Sequence, residues 1–154
     1  MPETLPAEQS YRKFESAIKG QGRGSWVLGV FEGSPRSGAY SWCSDCVAAN
    51  NDVASFFADY KGGVKLVQFK VGTREEWEGK NRRVNPFRAK SPFLSDLPTA
   101  ILFYGRLDVA RVIAPRKDDL LHLCQRATIY EKQIENGSWH PPRGNGAHGP
   151  TERP

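Results

Sequence analysis

Cys43 and Cys46, in the run Ser41-Trp42-Cys43-Ser44-Asp45-Cys46, are the residues whose types and spacing most directly suggest chemistry. A dithiol at this spacing can attack a disulfide and then close on itself, carrying two electrons per cycle. Two other uses of such a pair fit less well. Zinc normally takes four ligands, and structural zinc sites repeat the pair. Here the remaining candidates are Cys124, His122, His140 and His148, with no second pair, so no metal is expected. A purely structural disulfide between these positions would close a very short loop and constrain little of the unfolded chain.

The flanking sequence assigns the two thiols different positions. Trp26-Val27-Leu28-Gly29-Val30-Phe31 is short, apolar and bounded by glycines, which reads as a buried strand. After the cysteines, Cys46, Ala49, Val53, Phe56, Phe57 and Tyr60 fall on one side of a 3.6-residue helix. Cys43 is therefore expected at or just before a helix N-terminus, and Cys46 one turn in on the core-facing stripe. Unpaired N–H groups and the aligned peptide dipoles favour thiolate at such a terminus. Cys43 is expected to be the partly exposed, lower-pKa nucleophile. Cys46 is expected to be the shielded thiol that resolves a mixed disulfide, leaving Cys43–Cys46 as the redox-active disulfide. Trp42 offers an apolar surface for docking a substrate.

The composition suits a soluble protein with one core. The chain has 154 residues, a formal net charge of +5, a hydrophobic content of 38% and three cysteines. That cysteine count is far from a disulfide-rich secreted pattern. The N-terminal residues show neither a basic nor an apolar signal region, and no apolar run approaches the roughly twenty residues of a membrane span. A reducing, cytoplasmic location with no membrane partner is expected.

Taken in order, Glu8 to Gly20 reads as a helix with Tyr11, Phe14, Ala17 and Ile18 on one face. The strand Trp26–Phe31, a turn-rich insertion over Gly33–Tyr40, the cysteine helix and a strand over Val64–Val71 follow. A helical crossover between strands implies parallel pairing and a right-handed connection. Arg74–Glu78 reads as a helical turn. Lys80, Arg82, Arg83, Arg88 and Lys90 then equal the whole net charge, with no acid among them. Such a run is most simply a solvated loop, although it could steer an anionic partner. Leu97-Pro98 precedes a strand over Thr99–Tyr104, which turns back as an antiparallel strand over Val109–Ile113. One last helix is expected over Asp118–Glu135, with Cys124 as a small buried hydrophobe. The expected organisation is an N-terminal extension over 1–7, one domain over 8–136 and a disordered Gly/Pro-rich tail over 137–154, its start pinned by Trp139.

These features together resemble the thioredoxin fold: an α/β domain with a central mixed sheet flanked by helices. Within it, roughly residues 8 to 135 are most similar to small cytosolic thioredoxin-related proteins carrying Trp-Cys-Pro-Asp-Cys-Val, the thioredoxin domain-containing protein seventeen family. The likeness rests on Ser41-Trp42-Cys43, Asp45-Cys46-Val47, Phe31-x-Gly33-Ser34 with its long loop, Val71-Gly72 with Trp77, and Leu97-Pro98-Thr99. It implies a disulfide reductase acting on cystine, other small disulfides or selected protein disulfides. It further implies that no cofactor is bound and that electrons come from NADPH through thioredoxin reductase. It also implies that Pro98 keeps the backbone at Leu97 open to an extended substrate.

Two departures from that family stand out. Ser44 replaces the motif proline, adding a hydroxyl within reach of the Cys43 thiolate. The strand Trp26–Phe31 holds no acid, and alternation sends Glu32 away from the core, so Asp45 or water is expected to handle protons at Cys46. The alternative is a binding module that recruits a partner through the basic segment and the tail, with little turnover. A monomer is expected, and a nucleic-acid partner is not.

Overall fold

The computed structural model describes residues 6–20, 22, 24–36 and 40–141. Most of the expected N-terminal extension, the tip of the insertion before the cysteines and the tail beyond Pro141 lie outside the described residues.

Four strands form one sheet in the order β2-β1-β3-β4. They are β1 (Trp26–Glu32), β2 (Lys65–Lys70), β3 (Thr99–Tyr104) and β4 (Leu107–Ile113). β1 pairs parallel with β2 and antiparallel with β3, and β3 pairs antiparallel with β4. The sheet is mixed, as expected. The hairpin is tighter than the sequence suggests: Tyr104 pairs with Leu107, so only Gly105 and Arg106 turn the chain, with Gly105 at φ 59°.

Helices cover both faces. On one face, α1 (Ala7–Lys19), α3 (Arg74–Glu78) and α4 (Pro86–Ala89) bring Tyr11, Phe14, Trp77 and Phe87 against Val27, Phe31, Phe69, Ile101 and Phe103. On the other, α2 (Ser44–Asp59), α5 (Lys117–Gln125) and α6 (Ala127–Glu135) bring Val53, Phe56, Leu120, Leu123 and Tyr130 against Leu28, Val30, Leu102 and Val112. Alternation along β1 thus selects a layer rather than separating inside from outside.

The last helical stretch is two helices, not one. The Arg126 N–H lies 3.1 Å from the His122 carbonyl and 3.3 Å from that of Leu123, and Arg126 sits at φ −83°, ψ −5°. The turn tightens there without glycine or proline. The bend keeps Ala127 and Tyr130 on the same core as Leu120 and Leu123. Past α6, the Trp139 N–H donates to the Gln133 carbonyl at 3.0 Å and its ring packs on that core, as expected of the residue that pins the tail.

Phe14 is the hub of the first core. Its ring centroid lies 5.5 Å from that of Phe31, 5.1 Å from Phe69, 5.9 Å from Phe87 and 5.8 Å from Phe103. Tilted and edge-on ring pairs of this kind add to the stabilisation from burial. Truncating Phe14 to Ala should cost about 3–5 kcal/mol in urea unfolding, whereas Phe14→Leu should cost less than half of that.

Candidate active site

The chain reaches the cysteines through a short, heavily hydrogen-bonded approach. The buried Ser34 donates its N–H to the Gly72 carbonyl at 2.9 Å and accepts from the Gly72 N–H through Oγ at 2.9 Å. Trp42 Nε1 donates to the same carbonyl at 2.8 Å. A Cβ on Gly33 would stand 2.6 Å from Trp42 Cε2, so the residue facing the indole has room only for hydrogen. Trp42 is accordingly half-buried and wedged, with less free face than the sequence implies.

Cys43 is the N-cap of α2. Its Sγ accepts from the Cys46 N–H at 3.2 Å, its own N–H donates to Ser41 Oγ at 3.0 Å, and the Leu97 carbonyl lies 4.0 Å from Sγ. The residue is 8% exposed, so it is more enclosed than expected, reached only through a cleft. Ser44 and Asp45 are exposed in the first turn. Among the described residues, Ser44 makes no hydrogen bond to the Cys43 sulfur; the contacts on that sulfur come from Cys46 and Leu97. Both cysteines are free thiols, as is Cys124.

The cleft over Cys43 holds about 220 Å³. Trp42, Cys43, Ser44, Asp45 and Leu97, all singled out from the sequence, line one side. Arg74, Trp77 and Glu78 of α3 and Ser95-Asp96 line the other. The Leu97–Pro98 peptide is cis and brings the Leu97 carbonyl beside the thiol. Arg74 reaches across, with its guanidinium carbon 5.9 Å from the Trp42 ring centroid and Nε 2.6 Å from Glu78 Oε1.

Cys46 is 1% exposed. Burial pushes its thiol far up. The hydrogen bond to Cys43 adds to this, a bond from the Gly33 backbone works against it, and the charges of Cys43 and Glu32 raise it further. The role of Glu32 overturns an expectation. Glu32 does not leave the core: it is 5% exposed at the end of β1, and its charge reaches Cys46. Alternation fails as a guide because β1 is an inner strand covered on both faces, so Glu32 continues the row of Leu28 and Val30. Its Oε1 accepts from Lys70 Nζ at 2.6 Å and from Gln68 Nε2 at 3.0 Å. Asp45, one of the two candidates for handling the Cys46 proton in the sequence beside water, is exposed. One signal could have found Glu32: a single acid ending an apolar strand, with Lys70 ending the parallel neighbour.

Residues 7–121 match the family described as thioredoxin domain-containing protein 17-like, thioredoxin domain. The chain belongs to this family. Human thioredoxin domain-containing protein 17 is 32% identical over 95 residues, which is 62% of this chain and 72% of that protein. The thioredoxin-like protein Clot of Arabidopsis thaliana is 29% identical over 105 residues, 68% of this chain and 74% of that one. Among solved structures, the long form of spinach chloroplast thioredoxin f superposes with a TM-score of 0.55 at 16% identity, covering 83% of this chain and 99% of that one. The last likeness shows the fold alone. Family membership and the Cys43–Cys46 spacing together support thiol–disulfide oxidoreductase chemistry. Among the described residues, no helix is long and apolar enough to cross a membrane.

Cys124 stands apart. Burial pushes its thiol up to about 12, and the Tyr60 hydroxyl holds it down only partly. In the native protein at pH 8, iodoacetamide should leave Cys124 unmodified by mass spectrometry, with labelling appearing only after unfolding.

Proposed function

We propose that the protein is a disulfide reductase acting on cystine-like small molecules or selected protein disulfides, recharged by NADPH through thioredoxin reductase. The observation that carries this reading is the pairing of a sulfur-capped helix start with a second thiol buried near a carboxylate. Cys43, as thiolate, attacks one sulfur of the substrate disulfide. The other sulfur leaves as thiolate and takes a proton from water, while Cys43 is held in a mixed disulfide. Glu32 accepts the Cys46 proton. The Cys46 thiolate then attacks Cys43 Sγ, the second substrate sulfur departs as thiolate and takes a proton from water, and Cys43–Cys46 remains oxidised. The helix N-terminus favours the attacking thiolate form of Cys43.

Leu97 and Pro98 supply the docking edge in this reading. Pro98 carries no N–H, and the Leu97 carbonyl faces the thiol, so an extended peptide would pair beside Cys43 in the manner of strand addition. The rival picture of a binding module with little turnover loses one of its grounds, because the acid it took to be missing is Glu32.

Cystine reduction coupled to NADPH oxidation tests the proposal. Cys43→Ser should fall to the uncatalysed rate, and Cys46→Ser should accumulate a mixed disulfide on Cys43 detectable by mass. Equal rates for wild type and Cys43→Ser would end the reductase reading. Glu32→Gln separates two roles for that acid. Removing its charge lowers the Cys46 pKa and on that account alone would speed resolution. Removing a proton acceptor should instead slow resolution by about 10²-fold. Rapid-mixing measurement of mixed-disulfide decay is expected to show slowing, with the wild-type rate rising with pH as the raised Cys46 thiol ionises.

A further inference from the structure

The basic segment over 80–90 is only partly used by the fold. Arg88 places its guanidinium carbon 4.3 Å from the Trp77 ring centroid, and Lys90 Nζ lies 5.7 Å from that of Tyr11. Arg82 and Arg83 are exposed and, among the described residues, their side chains form no ion pair and no hydrogen bond. Together Arg82, Arg83 and Arg88 line a cleft of about 240 Å³ closed by Ala89, Leu94 and Ser95.

Three facts make this cleft more than a solvated run. Its scaffold is rigid: the buried Asn85 donates through Nδ2 to the Val71 carbonyl at 2.9 Å and the Glu76 carbonyl at 3.1 Å. The buried Arg111 donates to the Pro92 carbonyl at 3.0 Å, and Phe87 is fully buried. The cleft also adjoins the thiol: Ser95 lines both it and the cleft over Cys43, and Trp77 lines the latter while carrying Arg88. Finally, its charge is unbalanced. Burial and the nearby Arg82 charge both depress Arg88, against a smaller opposing effect of Asp96. A concave cluster of guanidinium groups with no ion-paired carboxylate is complementary to an anion.

We propose that this cleft is a specificity site for a carboxylate side chain of the disulfide substrate, close in sequence to the cysteine that Cys43 attacks. The site rests on the reductase reading and names its substrate class: acidic disulfide peptides. Asp45, Glu78 and Asp96 line the thiol cleft against one cation, Arg74, which is ion-paired to Glu78, so the substrate's acid is turned away from the thiols and toward the arginines, which orients the substrate.

The test uses two disulfide peptides identical except for Glu-Glu or Gln-Gln beside one cysteine, with kcat/KM read in the thioredoxin reductase assay. Wild type should favour the Glu peptide about fivefold to tenfold at low salt, and high salt should erase most of that preference. In R82E/R83E the ratio should fall to one or invert. In R12E/K13E, which makes the same charge change on the exposed face of α1, the ratio should stay at its wild-type value. Equal wild-type rates on both peptides, or a preference that survives R82E/R83E, would overturn the proposal and leave the reductase reading standing. Failure of wild type to reduce either peptide would sink the reductase reading and this site with it.

Discussion

Helix α2 begins on a sulfur. Most N-caps are hydroxyls or carboxylates that accept from an otherwise orphaned N–H, but here Cys43 Sγ accepts from the Cys46 N–H at 3.2 Å. A neutral thiol is a weak acceptor, whereas a thiolate is a charged one. The cap therefore strengthens in the same ionisation state that attacks a disulfide. The N–H it binds belongs to the second thiol residue, so one hydrogen bond sets the spacing of the pair. What precedes the cap keeps it in place. Trp42 is held between Gly33 and the Gly72 carbonyl, which leaves the Cys43 backbone little freedom to swing out.

A buried carboxylate is the second constraint, and it runs against stability. Taking an ionised group out of water costs several kcal/mol unless partners replace the solvent. Glu32 has such partners in Gln68 and Lys70, and the Lys70 side chain is 42% exposed while that of Glu32 is 6% exposed. The lysine thus holds the acid from its solvent side, while the carboxylate charge still acts on the buried Cys46 thiol. An apolar residue at the end of β1 would pack there at lower cost, so the acid is better explained by the thiol above it than by the fold.

The elements that carry regular periodicity were legible in the sequence. The apolar run of β1, the 3.6-residue stripe of α2 and the hairpin of β3 and β4 all follow from local pattern, and so does the placement of Cys43 and Cys46 at a helix start. The misreadings share a cause: each depends on what packs around a segment. Alternation sends Glu32 outward, but alternation holds only for a strand with one wet face. The bend at Arg126 comes without glycine or proline, and it is read from the core that Ala127 and Tyr130 share with Leu120 and Leu123 rather than from a local breaker. The enclosure of Cys43 depends on Leu97 and α3, which are distant in sequence. The free face assigned to Trp42 was spent on packing against Gly33.

The segment between β2 and β3 shows how one stretch of basic residues divides into structural and available charge. Arg88 lies over the Trp77 ring, which holds its guanidinium in place without removing its charge. Arg111, on β4, is fully committed to Asp108 and the Pro92 carbonyl. Asn85, although uncharged, is as important to the segment: it satisfies the carbonyls of Val71 and Glu76 and the Phe87 N–H from one buried side chain. Arg88 is thus held in place at the cleft, and of the arginines lining it Arg82 and Arg83 keep side chains free to adjust to a ligand. Their backbone is fixed by a short 3-10 turn over Arg82–Val84, so an incoming anion meets donors whose main chain is already ordered. The entropy of binding is then confined to two side chains, and that separates a recognition cleft from an equally basic but unanchored loop.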